Sequence, residues 1–180
     1  MKVMELLLPR MGAGELRRVA GMAAVGVLVA AGFGVVHDQL TFSISPGYFR
    51  ELKFGQFGWI GADWPERVKV AAVGVAGTWW VGLVAGWFLG RWLVGRTGGK
   101  ECWVWFAGCQ GWMLAGAVMG GGCGWFAGPW VYGRTAGWWE LLATLEVDAA
   151  AYTRVAGIHL GAYAGALAGL AGGVAWCWRK

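Results

Sequence analysis

Four long stretches without Asp, Glu, Lys or Arg constrain the fold of this chain more than any other feature of its sequence. They cover residues 19–36, 70–90, 102–132 and 155–178. About 18–20 consecutive apolar residues suffice to cross a bilayer as a helix, and each stretch reaches that length. The pattern predicts an all-α fold, a membrane four-helix bundle. We place its spans at about residues 19–36, 67–92, 102–128 and 149–178.

The composition agrees with a single membrane domain covering residues 1–180. Hydrophobic residues make up 58% of the chain, and charged residues make up 14%, against roughly 25% in a typical soluble domain. A soluble helical core would also need a charged face on each helix. The four stretches have no such face, so the sequence argues against a soluble bundle.

The formal net charge of +5 is explained by basic residues that flank the spans, as membrane topology requires. We therefore expect the lipid bilayer, and no nucleic acid, as a partner. With both termini cytoplasmic, nine basic residues lie on the inner side and six on the outer side. The outer loops are then residues 37–66 and 129–148. Cleavage of the first span as a signal peptide remains an alternative, because a basic start precedes its apolar core.

The first outer loop is the longest polar segment between spans. Residues 41–45 alternate polar and apolar side chains, a pattern compatible with extended backbone. Ser45 and Pro46 then form a helix start, with Ser as the cap and Pro at the first helical position. This predicts a short helix in the membrane interface, with Tyr48 and Phe49 on one face. Residues 63–66 resemble a capping box, with Asp63 as the cap of the second span. Asp148 can cap the fourth span in the same way as other Asp caps.

Glycine recurs at every fourth position in the spans. The clearest stripe lies in the fourth span and consists of Gly157, Gly161, Gly165, Gly169 and Gly173. Close backbone approach at such small residues drives helix association in lipid, where no hydrophobic force acts between helices. We therefore expect glycine-rich helix interfaces.

Two histidines mark the candidate site. His159 is an ionisable residue inside the fourth span, which is a functional hypothesis by default. Tyr163 shares its helix face, and His37 with Asp38 ends the first span. A hydrogen-bonded latch between loop and bundle is the favoured interpretation. The alternatives are a haem ligated by His37 and His159, a divalent metal bound by the same histidines with Asp38, and proton or ion handling.

The loop and the fourth span also carry a family resemblance. The run from His37-Asp38-Gln39 to Ser45-Pro46 and Tyr48-Phe49 resembles the HDQ…SPEYF signature of four-span bacterial membrane proteins to which no activity is assigned. Residues 67–68 and 79–82 are similar to their second-span pattern, and residues 154–163 to their fourth-span RVG…H…Y pattern. The resemblance implies that the signature positions form a ligand or latch site, consisting of His37, Asp38, Gln39, Tyr48, Arg154, His159 and Tyr163.

The chain departs from that pattern at three positions. Gly47 stands where the family tends to have Glu, and Leu160 and Ala162 stand where Asn and Ser are usual. This depletion of polar groups favours a structural or binding role over catalysis, so we name no catalytic residue. We expect a non-enzymatic, multi-pass protein of the bacterial inner membrane whose outer loop packs on the fourth span and binds a partner or small ligand. A haem- or metal-binding redox protein and a small transporter or channel are the alternatives. A second copy of the chain or another membrane protein is the expected protein partner.

Overall fold

The computed structural model of the chain describes residues 11–179, apart from the side chains of Ala136 and Trp139. The topology prediction also used basic residues at positions 2, 10 and 180, which lie outside the described residues. Four long helices dominate the described part, and each is long and apolar enough to cross a membrane. The predicted all-α, four-span architecture is therefore confirmed. The long helices are α1 (Ala13–Ile44), α4 (Glu66–Val94), α5 (Glu101–Tyr132) and α7 (Ala149–Trp178).

Short helical segments fill the two connections at one end of the bundle, which we call the loop end. The α1–α4 connection contains α2 (Pro46–Tyr48), a π-helical turn (Phe49–Lys53) and α3 (Phe54–Gln56). The α5–α7 connection contains α6 (Ala136–Thr144). In the π-helical turn the amide of Phe54 donates to the carbonyl of Phe49, one residue further than in an α-helix. Such turns are rare and often occur at functional sites.

The first helix is longer than the sequence pattern suggested. It continues through residues 37–44 to Ile44, so the extended backbone considered for residues 41–45 is wrong. Thr41 Oγ1 donates to the carbonyl of His37 one turn earlier, at 3.0 Å, and the ring of Phe42 is buried. The alternating pattern of this segment alone is compatible with either a helix or a strand. Burial against other elements determines that it is helical.

Three predicted helix starts have different outcomes. Ser45 caps α2 through its hydroxyl, which accepts from the amide of Tyr48 at 3.4 Å, and the Asp148 carboxylate caps α7 by accepting from the amide of Ala150 at 2.9 Å. Both predictions are confirmed. The capping box at residues 63–66 is wrong, because Pro65 is the cap of α4 and makes no side-chain cap bond. The Glu66 carboxylate instead forms an ion pair with Arg50, at 2.7 Å.

The helices associate as two tight pairs. Helix α1 packs along α4 and α5 packs along α7, whereas contacts between the pairs are sparse. In the second pair, a Cβ atom added to Gly124 would collide with the backbone carbonyl of Gly157. In the first pair, Thr78 Oγ1 donates across the interface to the carbonyl of Ala30 at 2.8 Å. The backbones approach closely at small residues, which leaves little space between the two helices of a pair. The free space in the bundle therefore lies between one pair and the other.

Two apolar clusters join the pairs at their ends. At the loop end the cluster includes Phe42, Phe49, Val70 and Tyr152, which come from α1, the loop, α4 and α7. At the opposite end a second cluster includes residues from α1, α4 and α5, such as Met22, Leu93 and Phe106. Buried apolar contacts between the pairs therefore include one cluster near each end of the bundle.

Candidate functional site

His159 lies at the centre of an aromatic cluster at the loop end. Its side chain belongs to α7, and the residue is only 8% exposed. The His37 ring of α1 contacts it edge-on, with 4.7 Å between ring centroids. The ring of Tyr48 stacks on it at 5.1 Å, and Phe49 lies 6.0 Å away. The loop therefore inserts two aromatic rings into the bundle and packs them against α7.

Polar atoms converge on one nitrogen of the same histidine. Thr41 Oγ1 lies 3.3 Å from His159 Nε2, and Asp38 Oδ1 lies 3.8 Å from it. The Thr41 hydroxyl donates its hydrogen to the carbonyl of His37, so its oxygen can accept from His159 Nε2. Asp38 is 5% exposed, and its distance from Nε2 is too long for a hydrogen bond. The carboxylate and the two imidazoles thus adjoin one another without forming a hydrogen-bonded His–Asp pair.

Lys53 brings an amine to this end of the bundle from the π-helical turn. Its Nζ lies 5.8 Å from the centre of the Tyr48 ring. Burial lowers the pKa of Lys53, and the nearby Asp38 carboxylate opposes part of that shift. Burial also raises the pKa of the Tyr48 phenol, and the neighbouring Tyr152 phenol raises it further. The surroundings therefore disfavour charge on both loop side chains.

A cleft extends from this cluster between the two helix pairs. Its cavity volume is about 80 Å³, and the wider groove around that cavity is open to the surroundings. Its polar end consists of His37, Asp38, Lys53 and His159. The lining beyond that end is mostly apolar and includes residues from all four long helices: Val29, Phe33, Val73, Val81, Met113, Leu114, Ala162 and Ala166. The cleft therefore combines a mostly apolar lining with ionisable groups at one end.

Three further polar side chains lie along the cleft: Thr78, Gln110 and Tyr163. Of these, the sequence predicted only Tyr163 as a site residue. The hydroxyl of Tyr163 on α7 donates to the carbonyl of Gly77 on α4, at 3.0 Å, and so bridges the helix pairs. Thr78 and the buried Gln110 also line the cleft. Gln110 is a polar side chain in an otherwise apolar span, which is the sequence signal that could have placed it in the site.

The predicted site residues do not all come together. His37, Asp38, His159 and Tyr163 line the cleft, and Tyr48 stacks on His159. Gln39 instead donates from Nε2 to the carbonyl of Arg67 at 2.7 Å. The guanidinium of Arg154 lies over the ring of Trp125, 5.4 Å from its centre. Neither Gln39 nor Arg154 lines the cleft; both make contacts of their own on nearby helices.

Lys53 and Thr41 belong to the site although sequence reasoning did not include them. Thr41 is one helical turn after His37, a spacing that becomes visible only once α1 is known to continue to Ile44. Lys53 belongs to the π-helical turn and lines the cleft. No sequence pattern predicts that turn.

The two cofactor hypotheses fit this geometry differently. The ring contact between His37 and His159 leaves no space for a porphyrin plane between them, so a haem held by both histidines does not fit. The donor atoms of His37, Asp38 and His159 all lie within 4.8 Å of one another. That separation is compatible with a single metal ion after small side-chain movements.

Comparison of the chain with protein-family models, with curated proteins and with solved structures found no match.

Proposed function

We propose that the chain is a non-enzymatic, multi-pass protein of the bacterial cytoplasmic membrane that binds a small amphipathic ligand in the cleft between its helix pairs. The observation that carries this proposal is the lining of the cleft, which is mostly apolar, has a few polar groups along it and has ionisable groups at one end. Binding sites for small molecules are commonly concave and mostly apolar, with a few polar groups that fix orientation. The lining matches that description.

The chemistry of the two ends indicates how a ligand would lie. An apolar body would occupy the space near Met113 and Ala166, where it replaces lipid contacts. A head group would lie at the polar end, within reach of an amine, a carboxylate and two imidazoles. The rings of Tyr48 and Phe49 would cover that end because they already pack on His159. The loop thus acts as a cover for the site and as its link to the fourth span.

The resemblance stated from the sequence is consistent with a binding role. Leu160, which stands where the family tends to have Asn, is 59% exposed and does not line the cleft. Ala162, which stands in place of Ser, does line it. Of these two substitutions, only the one at position 162 would make the lining of the cleft less polar.

Photolabelling of the purified full chain in detergent tests ligand binding. The probes are palmitic acid with a diazirine in mid-chain and the neutral alcohol of the same chain length. We expect saturable labelling of the peptide around Met113, which lines the cleft. Labelling of Met119, which is 71% exposed, should rise linearly with probe concentration because that side chain faces the detergent.

A matched pair of variants separates cleft binding from surface labelling. Ala166→Phe places a ring in the cleft and should abolish saturable labelling at Met113. Leu167→Phe changes the neighbouring exposed residue and should leave labelling unchanged. Circular dichroism and gel filtration verify that both variants fold. The proposal is wrong if neither probe gives saturable labelling, or if both variants label like the unchanged protein.

The proposed orientation can be tested separately. With both termini cytoplasmic, the loop end faces away from the cytoplasm. A reporter enzyme that is active only outside the cytoplasm should be active when inserted after Trp59 and inactive when fused to the C-terminus. The opposite result would place the polar end of the cleft on the cytoplasmic side.

A further inference from the structure

We propose that His37, Asp38 and His159 form a binding site for one divalent transition-metal ion, and that zinc fits this donor set best. The inference rests on the side-chain geometry of the three residues and does not depend on an amphipathic ligand in the cleft. A metal site explains why a carboxylate and two imidazoles lie together here, because a latch held by apolar contacts would not need these groups.

The distances among the donor atoms support a single shared ion. Zinc binds histidine nitrogen and carboxylate oxygen at about 2.0–2.2 Å, so donors around a tetrahedral ion lie roughly 3.3–3.6 Å apart. Asp38 Oδ1 and His159 Nε2 are already 3.8 Å apart, and one donor atom from each of the three residues lies within 4.8 Å of the other two. Metal binding through Nε2 takes the tautomer in which that nitrogen carries no hydrogen, so it replaces the contact of Nε2 with Thr41 Oγ1. Closure by about 1.5 Å at most is within the reach of side-chain rotations.

The site joins two helix pairs that otherwise touch little. His37 and Asp38 are consecutive on α1, whereas His159 is on α7 of the other pair. His159 contacts the His37 ring of α1 and packs against the rings of Tyr48 and Phe49 from the loop. The donors are therefore brought together by the fold before any ion binds, which lowers the entropic cost of binding.

Burial makes an uncompensated carboxylate costly here. Asp38 is almost fully buried, and an ionised group in an apolar surrounding requires a counter-charge or several hydrogen bonds. A bound divalent cation supplies such a counter-charge, in addition to the Lys53 amine, which lines the same end of the cleft and whose pKa burial lowers. Imidazole nitrogens bind metal ions in their neutral form.

The donor set also selects the class of ion. Magnesium and calcium prefer sites made of oxygen ligands, whereas imidazole suits zinc and its neighbours in the first transition row. Three protein ligands leave one position of a tetrahedral zinc ion open. Because all three residues line the cleft, the fourth ligand has to come from the cleft, as water or another small donor.

Metal titration of the purified full chain tests the site directly. The protein is prepared with a histidine-free affinity tag, stripped with a chelator and titrated with Co²⁺ alone and then with Zn²⁺ alone. We expect one ion per chain, visible absorption bands typical of a tetrahedral Co²⁺ centre, and displacement of Co²⁺ by Zn²⁺. Elemental analysis after gel filtration gives the stoichiometry.

Two ligand variants and one matched control make the test specific. His159→Ala and the nearly isosteric Asp38→Asn should each weaken Zn²⁺ binding by at least about tenfold, which corresponds to roughly 1.4 kcal/mol. Gln39→Ala alters the residue next to Asp38, whose side chain bonds to Arg67, and should leave Zn²⁺ binding unchanged. Circular dichroism and the elution volume report folding, and Asp38→Asn covers the case in which His159→Ala fails to fold.

The proposal is overturned if the unchanged protein binds less than a stoichiometric amount of metal in excess Zn²⁺ or if Asp38→Asn binds as tightly as the unchanged protein. Since the probe is the metal alone, a failure of fatty-acid labelling leaves this result unaffected. Conversely, saturable labelling with no metal uptake would support the ligand cleft and overturn the metal site.

Discussion

Replacing Gly124 by Ala is expected to lower the free energy of unfolding by about 1–3 kcal/mol, the usual cost of overpacking a close contact. The added methyl group would collide with the backbone carbonyl of Gly157 on the facing helix. Backbone atoms cannot rotate away as a flexible side chain can, so α5 and α7 would have to separate. His159 is two residues beyond Gly157 on α7, and a shift of that helix would also move it away from α1.

Gly122 provides a matched control on the same helix. It is exposed, and a Cβ atom added to it would meet no atom within 4 Å. Gly122→Ala should therefore stabilise the helix slightly, by up to about 1 kcal/mol from helix propensity. Both variants can be compared by denaturant titration in mixed micelles, followed by circular dichroism. Equal stability of Gly124→Ala and Gly122→Ala would show that close approach at Gly124 does not hold the pair together.

Replacing Phe49 by Ala is expected to destabilise the protein by about 3–5 kcal/mol, as is typical for a buried aromatic residue. Phe49 is 0% exposed and lies in the loop. Its ring packs edge-on against Phe42 of α1, at 5.5 Å, and lies 6.0 Å from His159 of α7. Removal of the ring would leave a cavity where loop, first helix and last helix meet, and residues 45–60 should lose protection in hydrogen exchange.

Trp59 in the same loop is the control for this substitution. It is 75% exposed, so Trp59→Ala removes a larger side chain but little buried contact. We expect a change within about 0.5 kcal/mol, as for most surface substitutions. Unfolding in mixed micelles and hydrogen exchange of the loop measure both variants. If Phe49→Ala left loop protection unchanged, the aromatic cluster around His159 would not be what holds the loop on the bundle.

The division into two helix pairs explains why the site is where it is. At several glycines the backbones of α5 and α7 approach so closely that an added Cβ atom would collide with the facing helix, and the same holds for α1 and α4. The space that remains lies between the pairs. The loop closes one end of that space with aromatic rings, and the residues it meets there include both histidines. Close packing within each helix pair therefore leaves the cleft between the pairs, and the loop contributes Lys53 to its polar end.

Much of the fold could be predicted from the sequence. The absence of charge over 18 or more residues determines a spanning helix because an unpaired charge in hydrocarbon is costly. Helix caps at Ser45 and Asp148 were also predictable, because a cap depends on a few adjacent residues. The end of α1 was not predictable, because the pattern of residues 41–45 is compatible with either a helix or a strand. Burial of Thr41 and Phe42 against other elements decides it.

The candidate site was only partly predictable. The sequence marked His37, Asp38 and His159 as chemically unusual because ionisable groups are rare inside membrane spans. It could not show that Gln39 turns toward Arg67 or that Arg154 lies over Trp125, since adjacent residues on a helix point in different directions and their partners lie on other elements. Nor could it show that Lys53 reaches the cleft.

Four apolar helices follow from the charge-free stretches alone, because the cost of burying charge in lipid acts on each segment separately. The pairing of the helices, the position of the cleft and the polar groups at its end depend on how distant parts of the chain pack together. Those outcomes depend on contacts between residues far apart in the chain, such as Asp38 with His159, and no local pattern encodes such a distance.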